Sequence, residues 1–314
     1  MLYINDLHNA IIFSEVYHFA DDTNLCHFDN SLKSLFKKVN ADLKRLCHWL
    51  NANNIVLNAD KTEYIIFGSK VNSLTLNNNF QISKTKFQIK VNGKRLFPSS
   101  FIKYLGVYLD SNLSWDKHIH ELSIKLKRAN SALCKLRHYV PESTLKSIYY
   151  SIFSSHLTYG CQLWGLNDNT TTHRILLLQK AALRIMSFSS FRTPSRPLFF
   201  KFNILTIFDH VKLLNILFLF QHLKFELPPE IINTFQINNI NHRYSTRGKT
   251  LGNLVIPYMR TKNYGTFSLI YQAINTWNFL QSKLNIQFSD LSISKIKHII
   301  KHFYLNSYIT DQLE

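Results

Sequence analysis

Paired cysteines are missing from this sequence. Cys26, Cys47, Cys134 and Cys161 stand alone, with no C-x-x-C step and no histidine at zinc-finger spacing. A disulfide framework and a zinc module are therefore excluded as the expected basis of the fold, and buried reduced thiols are left. A bilayer-length apolar run is missing too. The most apolar stretch, 211–220, carries Lys212 and Asn215 and falls far short of the roughly 20 residues a spanning helix needs, so it reads as a core helix. Residues 1–7 offer no basic stretch and no small-residue cleavage site, so no secretory signal is expected there and the chain is expected to stay inside the cell, nucleus or cytoplasm. Internal repeats, long low-complexity linkers and any recognisable endonuclease or zinc-knuckle signature are also lacking.

Acidic residues are scarce as well. Nineteen Asp and Glu face 37 Lys and Arg, a formal net charge of +18, which points to a polyanionic partner such as nucleic acid or an acidic membrane. The excess is uneven: residues 1–70 hold seven Lys and Arg against eight Asp and Glu, a net of −1, which leaves +19 for residues 71–314. A general drift towards lysine and asparagine, with solvated charges, accounts for the same numbers.

With 46% hydrophobic residues over 314 positions, substantial cores and more than one domain are expected. Residues 13–28 read as two short strands meeting at Asp21-Asp22, a hairpin with its acids at the tip. Leu32, Leu35, Phe36, Val39, Leu43, Leu46 and Leu50 recur with helical period, with Ser31 as N-cap and Lys33, Lys37, Lys44 and Arg45 on the wet side. Two further strands are predicted at 55–57 and 64–67, and Asn92-Gly93 signals a hairpin. Residues 101–115 predict a strand bent at Gly106.

From Asp116 onward the pattern is helical: 116–136, 143–159, 173–186 and 209–225, with Pro194, Pro197 and Pro228-Pro229 as breakers and asparagine-rich loops near 77–79 and 238–241. At about 100° per residue, Lys117, Arg128 and Lys135 fall within about 20° of one another, a stripe that could follow a phosphate backbone. Solvated lysines on a surface helix give the same pattern.

Adjacent carboxylates at a tight turn, flanked by apolar strands, are costly unless a cation neutralises them. Mg²⁺ suits such a pair, since it takes hard oxygen ligands, keeps several waters and is commonly held by one or two carboxylates together with substrate phosphates. An Asp-Asp pair in an exposed turn without any such role is also common.

The words around the pair carry more. Tyr3-Ile4-Asn5-Asp6-Leu7 followed by Phe19-Ala20-Asp21-Asp22-Thr23-Asn24-Leu25 resembles the palm of non-LTR (LINE-type, jockey-like) retrotransposon reverse transcriptases, with its aromatic-x-Asp-Asp hairpin. Leu57-Asn58-Ala59-Asp60-Lys61-Thr62-Glu63 resembles the next palm motif, and Lys103-Tyr104-Leu105-Gly106-Val107-Tyr108-Leu109-Asp110 with Trp115 the primer-grip hairpin. The stretches His156 to Gly165 and Leu178 to Arg184 are similar to sequences after the thumb, and Tyr244 to Arg247 and Trp277-Asn278 are looser matches.

The resemblance implies an α+β fold: part of a reverse-transcriptase palm, with antiparallel hairpins packed on a helix, followed by a mainly α-helical thumb and C-terminal region. The domains expected are a palm segment at 1–70, a primer-grip-like β region at 71–115, a helical thumb and connection at 116–200, and a mainly helical region of unknown role at 201–314. It implies RNA-directed DNA polymerase chemistry with Mg²⁺ or Mn²⁺, an RNA template, a DNA primer and deoxynucleoside triphosphates. Asp21 and Asp22 would be the catalytic metal ligands, Lys61 would lie near the incoming triphosphate, and Tyr104, Leu105 and Gly106 would hold the primer end. Lys117, Arg128 and Lys135 would contact the nucleic-acid backbone. Lys61 also reads as a surface lysine at a turn, and Tyr104 and Trp115 as core aromatics.

The family palm also supplies a third carboxylate and a segment containing glycine and glutamine. In the relatives both precede the Tyr3 to Leu7 motif, and Asp6 matches a position other than the metal ligand. Little or no polymerase activity is therefore expected of the 314 residues alone, along with exposed apolar strand edges. A non-enzymatic basic nucleic-acid-binding module is the alternative. A membrane-surface role is the weakest reading, because no segment joins a large polar face to interfacial aromatics, so no membrane partner is expected.

Overall fold

The computed structural model describes residues 4–68, 88–166, 170–234 and 252–310. The asparagine-rich patches and the Tyr244 to Arg247 motif lie outside the described residues. The chain divides into two compact units, Met1–Ser114 and Trp115–Glu314, the first mixing strands with a helix and the second helical, an α+β architecture.

In the first unit, β1 (Glu15–Phe19) and β2 (Asp22–Cys26) form an antiparallel hairpin in which Phe19 pairs with Asp22. Helix α1 (Leu32–Ala52) follows. Ser31 holds the N-cap position but its side chain makes no cap bond. Asp29, just ahead of the helix, pairs its carboxylate with Lys38 at 2.6 Å and accepts from Ser31 N at 2.9 Å and Ser34 Oγ at 2.7 Å, contacts that hold its carboxyl well below the usual range. The hairpin β3 (Ile89–Val91) to β4 (Lys94–Leu96) turns at Asn92-Gly93, with φ of 48° and 79°, the pair of positive angles a type I′ turn requires.

The core of this unit lies between α1 and the β3–β4 hairpin: Phe36, Leu43, Leu46 and Leu50 meet Ile89, Val91 and Leu96, with Leu7 and Ile11 closing one end. Asn40 fixes the register, donating to Gln88 O at 2.8 Å and accepting from Lys90 N at 3.1 Å. Two expectations are corrected here. The strands at 55–57 and 64–67 do not form; Tyr64 makes one isolated bridge, to Pro98, and a proline has no N–H with which to extend a ladder. Residues 101–110 are two strands, β5 (Phe101–Tyr104) and β6 (Val107–Asp110), because Leu105 and Gly106 both take positive φ, 46° and 84°, and reverse the chain.

In the second unit, α2 (Asp116–Leu136) packs its Ile119, Leu122, Leu126, Ala129 and Leu133 face on α6 (Thr170–Met186). Between them run α3 (Glu142–Ile148), a π-helical turn (Tyr149–Ser154), α4 (Ser155–Thr158) and α5 (Cys161–Trp164). α7 (Arg196–Phe202) and α8 (Ile207–Leu223) follow, then α9 (Pro229–Thr234), α10 (Leu269–Leu284) and α11 (Ile293–Thr310). α8 is apolar nearly all round, since α10 and α11 both pack on it, and its buried Val211, Leu213, Ile216, Leu219 and Phe220 bear out the core-helix reading. Among the described residues no single helix is long and apolar enough to cross a membrane, although α7 and α8, bent by 51°, satisfy length and composition together. Of the four thiols Cys161 is buried, Cys26 and Cys47 are half-buried and Cys134 is exposed, against the expectation that all are covered.

Candidate functional site

The Asp-Asp pair sits where the chain reverses. Ala20 and Asp21 form the two-residue loop, with Ala20 at φ 54°, a left-handed conformation that costs an L-residue about 1–2 kcal/mol. Asp22 opens β2 opposite Phe19. Both carboxylates are exposed, and no hydrogen bond or ion pair engages either of them among the described residues, which leaves hard oxygen lone pairs available to a cation. The donor set fits Mg²⁺ completed by water and substrate oxygens. No group of three or more His, Cys, Asp and Glu side chains that could hold a metal occurs among the described residues.

What holds this hairpin is a residue that pattern reading passed over. Asp42, on α1 and wholly buried, accepts from Ile12 N at 3.2 Å and Phe13 N at 3.0 Å just ahead of β1, and bonds His27 Nε2 at 3.1 Å just after β2. Arg45 approaches the same carboxylate at 3.5 Å and lies over the Phe13 ring, 5.5 Å from its centroid. Both feet of the hairpin are thus fastened to one carboxylate. A signal existed: Asp42 falls three residues after Val39 and four before Leu46, on the apolar stripe, where a charge must be paired. His27 is pushed below its ordinary range, by burial first, with the carboxylate of Asp42 opposing.

The other predicted residues of this unit occupy two more turns. Lys61 is exposed on a loop built on Asn58, whose Oδ1 accepts from Asp60 N at 3.1 Å and Lys61 N at 3.2 Å. No hydrogen bond or ion pair joins Lys61 to Asp21 or Asp22. Tyr104, Leu105 and Gly106 form the β5–β6 tip, with Tyr104 half-buried. Below that tip, Phe101 packs edge-on to Tyr108 at 6.1 Å and Lys103 lies 5.8 Å from the Tyr108 ring centroid. The first and third hairpins are within electrostatic reach: the Tyr17 hydroxyl, raised chiefly by donating to Glu15 at 2.7 Å, also feels Tyr104.

In the second unit Lys117, Arg128 and Lys135 share the face of α2 opposite its packed side. Lys117 pairs with Glu121 at 2.8 Å, whereas Arg128 and Lys135 make no ion pair among the described residues. Trp115 is buried, 8% exposed, a core aromatic as its sequence context suggested.

By comparison with known proteins, the chain is similar to transposon-encoded RNA-directed DNA polymerases. In particular, the chain is 24% identical over 197 residues to the probable RNA-directed DNA polymerase from transposon X-element of Drosophila melanogaster, covering 62% of this chain and 20% of that protein. It is 26% identical over 172 residues to the RNA-directed DNA polymerase from mobile element jockey of the same species, 54% of this chain and 18% of that protein. The polymerase from transposon BS gives 24% over 172 residues. The resemblance to non-LTR retrotransposon reverse transcriptases read from the motifs is borne out. The chain spans about a fifth of the length of these curated relatives. No protein-family profile matches it, and no solved structure does.

Proposed function

We propose that this chain carries the carboxylate hairpin, primer-grip hairpin and thumb of a non-LTR reverse transcriptase, and that it serves template-directed transfer of a deoxynucleotide to a primer 3′ hydroxyl. The observation that supports this most is the placement of Asp21 and Asp22 at a two-residue reversal whose two feet are fastened to buried Asp42. Asp21 would be the principal metal ligand from this hairpin and Asp22 its companion. Bound there, divalent ions would stabilise the attacking and leaving oxygens of the displacement. Asp42 and His27 would keep the two carboxylates in place. Leu105 and Gly106 would hold the primer end against them, and Lys61 would meet the triphosphate.

Among the described residues no third carboxylate joins Asp21 and Asp22, so the 314 residues alone should extend a primer little or not at all. Small misplacements of the reacting groups alone cost about a hundredfold. The test is a chimaera in which the jockey polymerase segment preceding the matching stretch is joined to this chain. Mg²⁺-dependent primer extension lost in Asp21→Ala is the expected result; a folded chimaera without extension, or with extension indifferent to Asp21→Ala, would overturn the reading. A second reading, a non-enzymatic nucleic-acid-binding module, draws on Arg128 and Lys135 of α2, which make no ion pair among the described residues. Salt-dependent nucleic-acid binding that persists in Asp21→Ala and Asp22→Ala, with no extension by the chimaera, favours it.

A further inference from the structure

The second unit contains a pocket of about 230 Å³ where α8 and α11 meet the π-helical turn. Lys297 and Lys301, four residues apart on one face of α11, line it beside His210 of α8. Among the described residues Asp209 is the one acid on the helices that line it, and Glu142 lies on the helix just before the π-helical turn; both are committed elsewhere. Glu142 pairs with Lys201 at 2.6 Å. Asp209 takes Tyr308 OH at 2.6 Å, Thr206 Oγ1 at 2.7 Å and Lys212 at 3.3 Å. Neither Lys297 nor Lys301 has an ion-pair partner among the described residues, and Lys146 adds a third positive charge nearby.

An uncompensated cluster of this kind is held at a cost, and the costs are visible. Lys301 is pushed below its ordinary range by burial, then by Lys146 and Lys297. His210 is pushed down by burial, then by Lys297 and Lys301. Tyr149, also lining the pocket and only 1% exposed, accepts from Gln179 Nε2 at 3.3 Å, while its own hydroxyl hydrogen has no acceptor among the described residues. Tyr149 and Tyr150 belong to the π-helical turn, an irregularity often found at functional sites. Tyr150 and Leu213 add aromatic and aliphatic wall.

We propose that this pocket binds the phosphate of a nucleotide unit, with Lys297 and Lys301 as the cationic contacts, the Tyr149 hydroxyl and the His210 imidazole as hydrogen-bond partners, and Tyr150 and Leu213 against the sugar or base. A phosphate there supplies the missing counter-charge and the missing acceptor at once. The inference lies in the second unit and does not rest on the polymerase reading.

Isothermal titration of the 314-residue chain with inorganic phosphate, adenosine monophosphate and a short single-stranded DNA tests it. The double variant Lys297→Gln/Lys301→Gln should weaken binding about tenfold or more, and Tyr149→Phe, which keeps the ring, should weaken it severalfold. Lys295→Gln, exposed on the same helix and outside the pocket, should bind as the parent does. Binding of all three probes identifies a small phosphate ligand, and binding of the oligonucleotide alone identifies a backbone phosphate; either outcome supports the proposal. Failure of every probe, or a double variant that binds as well as the parent, overturns it. So does equal loss in Lys295→Gln, which would mean diffuse charge rather than a site.

Discussion

His27 Nε2 stands 3.1 Å from a carboxylate oxygen of Asp42, and the same carboxylate takes the backbone N–H groups of Ile12 and Phe13, so one buried side chain closes both ends of the Asp-Asp hairpin. β1 and β2 form only a two-stranded sheet, a unit with marginal stability of its own, and its contribution to the core is confined to Val16 and Leu25. Replacing Asp42 by Ala leaves the N–H groups of Ile12 and Phe13 without their acceptor and Arg45 without its carboxylate. A loss of about 2–4 kcal/mol is expected, with the amides of Thr23 and Asn24 exchanging faster than those of α1. Urea unfolding with hydrogen exchange checks this; a loss below about 0.5 kcal/mol would remove Asp42 from its assigned place.

How much of this was legible follows from where each signal resides. The Asn92-Gly93 turn and the face of α2 are local, set by backbone angles and by a 3.6-residue period, and both read directly from the chain. Asp21-Asp22 read as a hairpin tip for the same reason. Asp42 was hidden because its partners lie 15 to 30 residues away, and only its intrusion into an apolar stripe marks it. The missing strands at 55–57 and 64–67 are a tertiary outcome: the segments are apolar enough, but Pro98 is the neighbour that Tyr64 finds. The pocket at Lys297 and Lys301 joins residues more than 140 positions apart, Tyr149 and Lys301 among them, and has no sequence signature.

Acid should destabilise the second unit through His118. This side chain, 7% exposed and 5.7 Å from the Trp164 ring, is pushed down to about 4 by burial, with Lys125 adding to it. A depressed histidine binds its proton more readily in the unfolded chain. Its contribution to stability is therefore complete above the ordinary value of 6.5 and declines as pH falls towards about 4. Between about pH 7 and about pH 5 the decline is about 2 kcal/mol from this group. His210, in the same unit and shifted in the same direction, adds to it. Urea midpoints across that range should fall in the parent and flatten in His118→Phe; an unchanged slope in the variant rejects the assignment.

Leu105 should be replaceable with a gain in stability. It holds a positive φ of 46° at a reversal whose other residue is Gly106, and a leucine pays about 1–2 kcal/mol for that conformation. Leu105→Gly removes the penalty but loosens the unfolded chain, so a net gain of up to about 1 kcal/mol is expected. If Leu105 also holds a primer end, as proposed, the same change weakens binding of a primer–template duplex. A variant less stable than the parent would show that the side chain's packing outweighs its backbone strain.

The basic face of α2 should not act as three equal contacts. Lys117 is paired with Glu121 at 2.8 Å, and that contact holds Glu121 below its ordinary range; a phosphate must compete with the carboxylate for the ammonium. Arg128 and Lys135 are exposed and carry no ion pair among the described residues, so a phosphate meets no competitor there. Each genuine phosphate contact adds about 0.9 to the slope of log affinity against log salt on duplex DNA. Arg128→Ala and Lys135→Ala should each flatten that slope by about 1, while Lys117→Ala changes it by less. Fluorescence anisotropy of a labelled duplex at several salt concentrations separates these outcomes. Equal effects from all three basic residues would mean that the Lys117–Glu121 pair opens on binding, and no effect from Arg128 or Lys135 would place the nucleic acid on another surface.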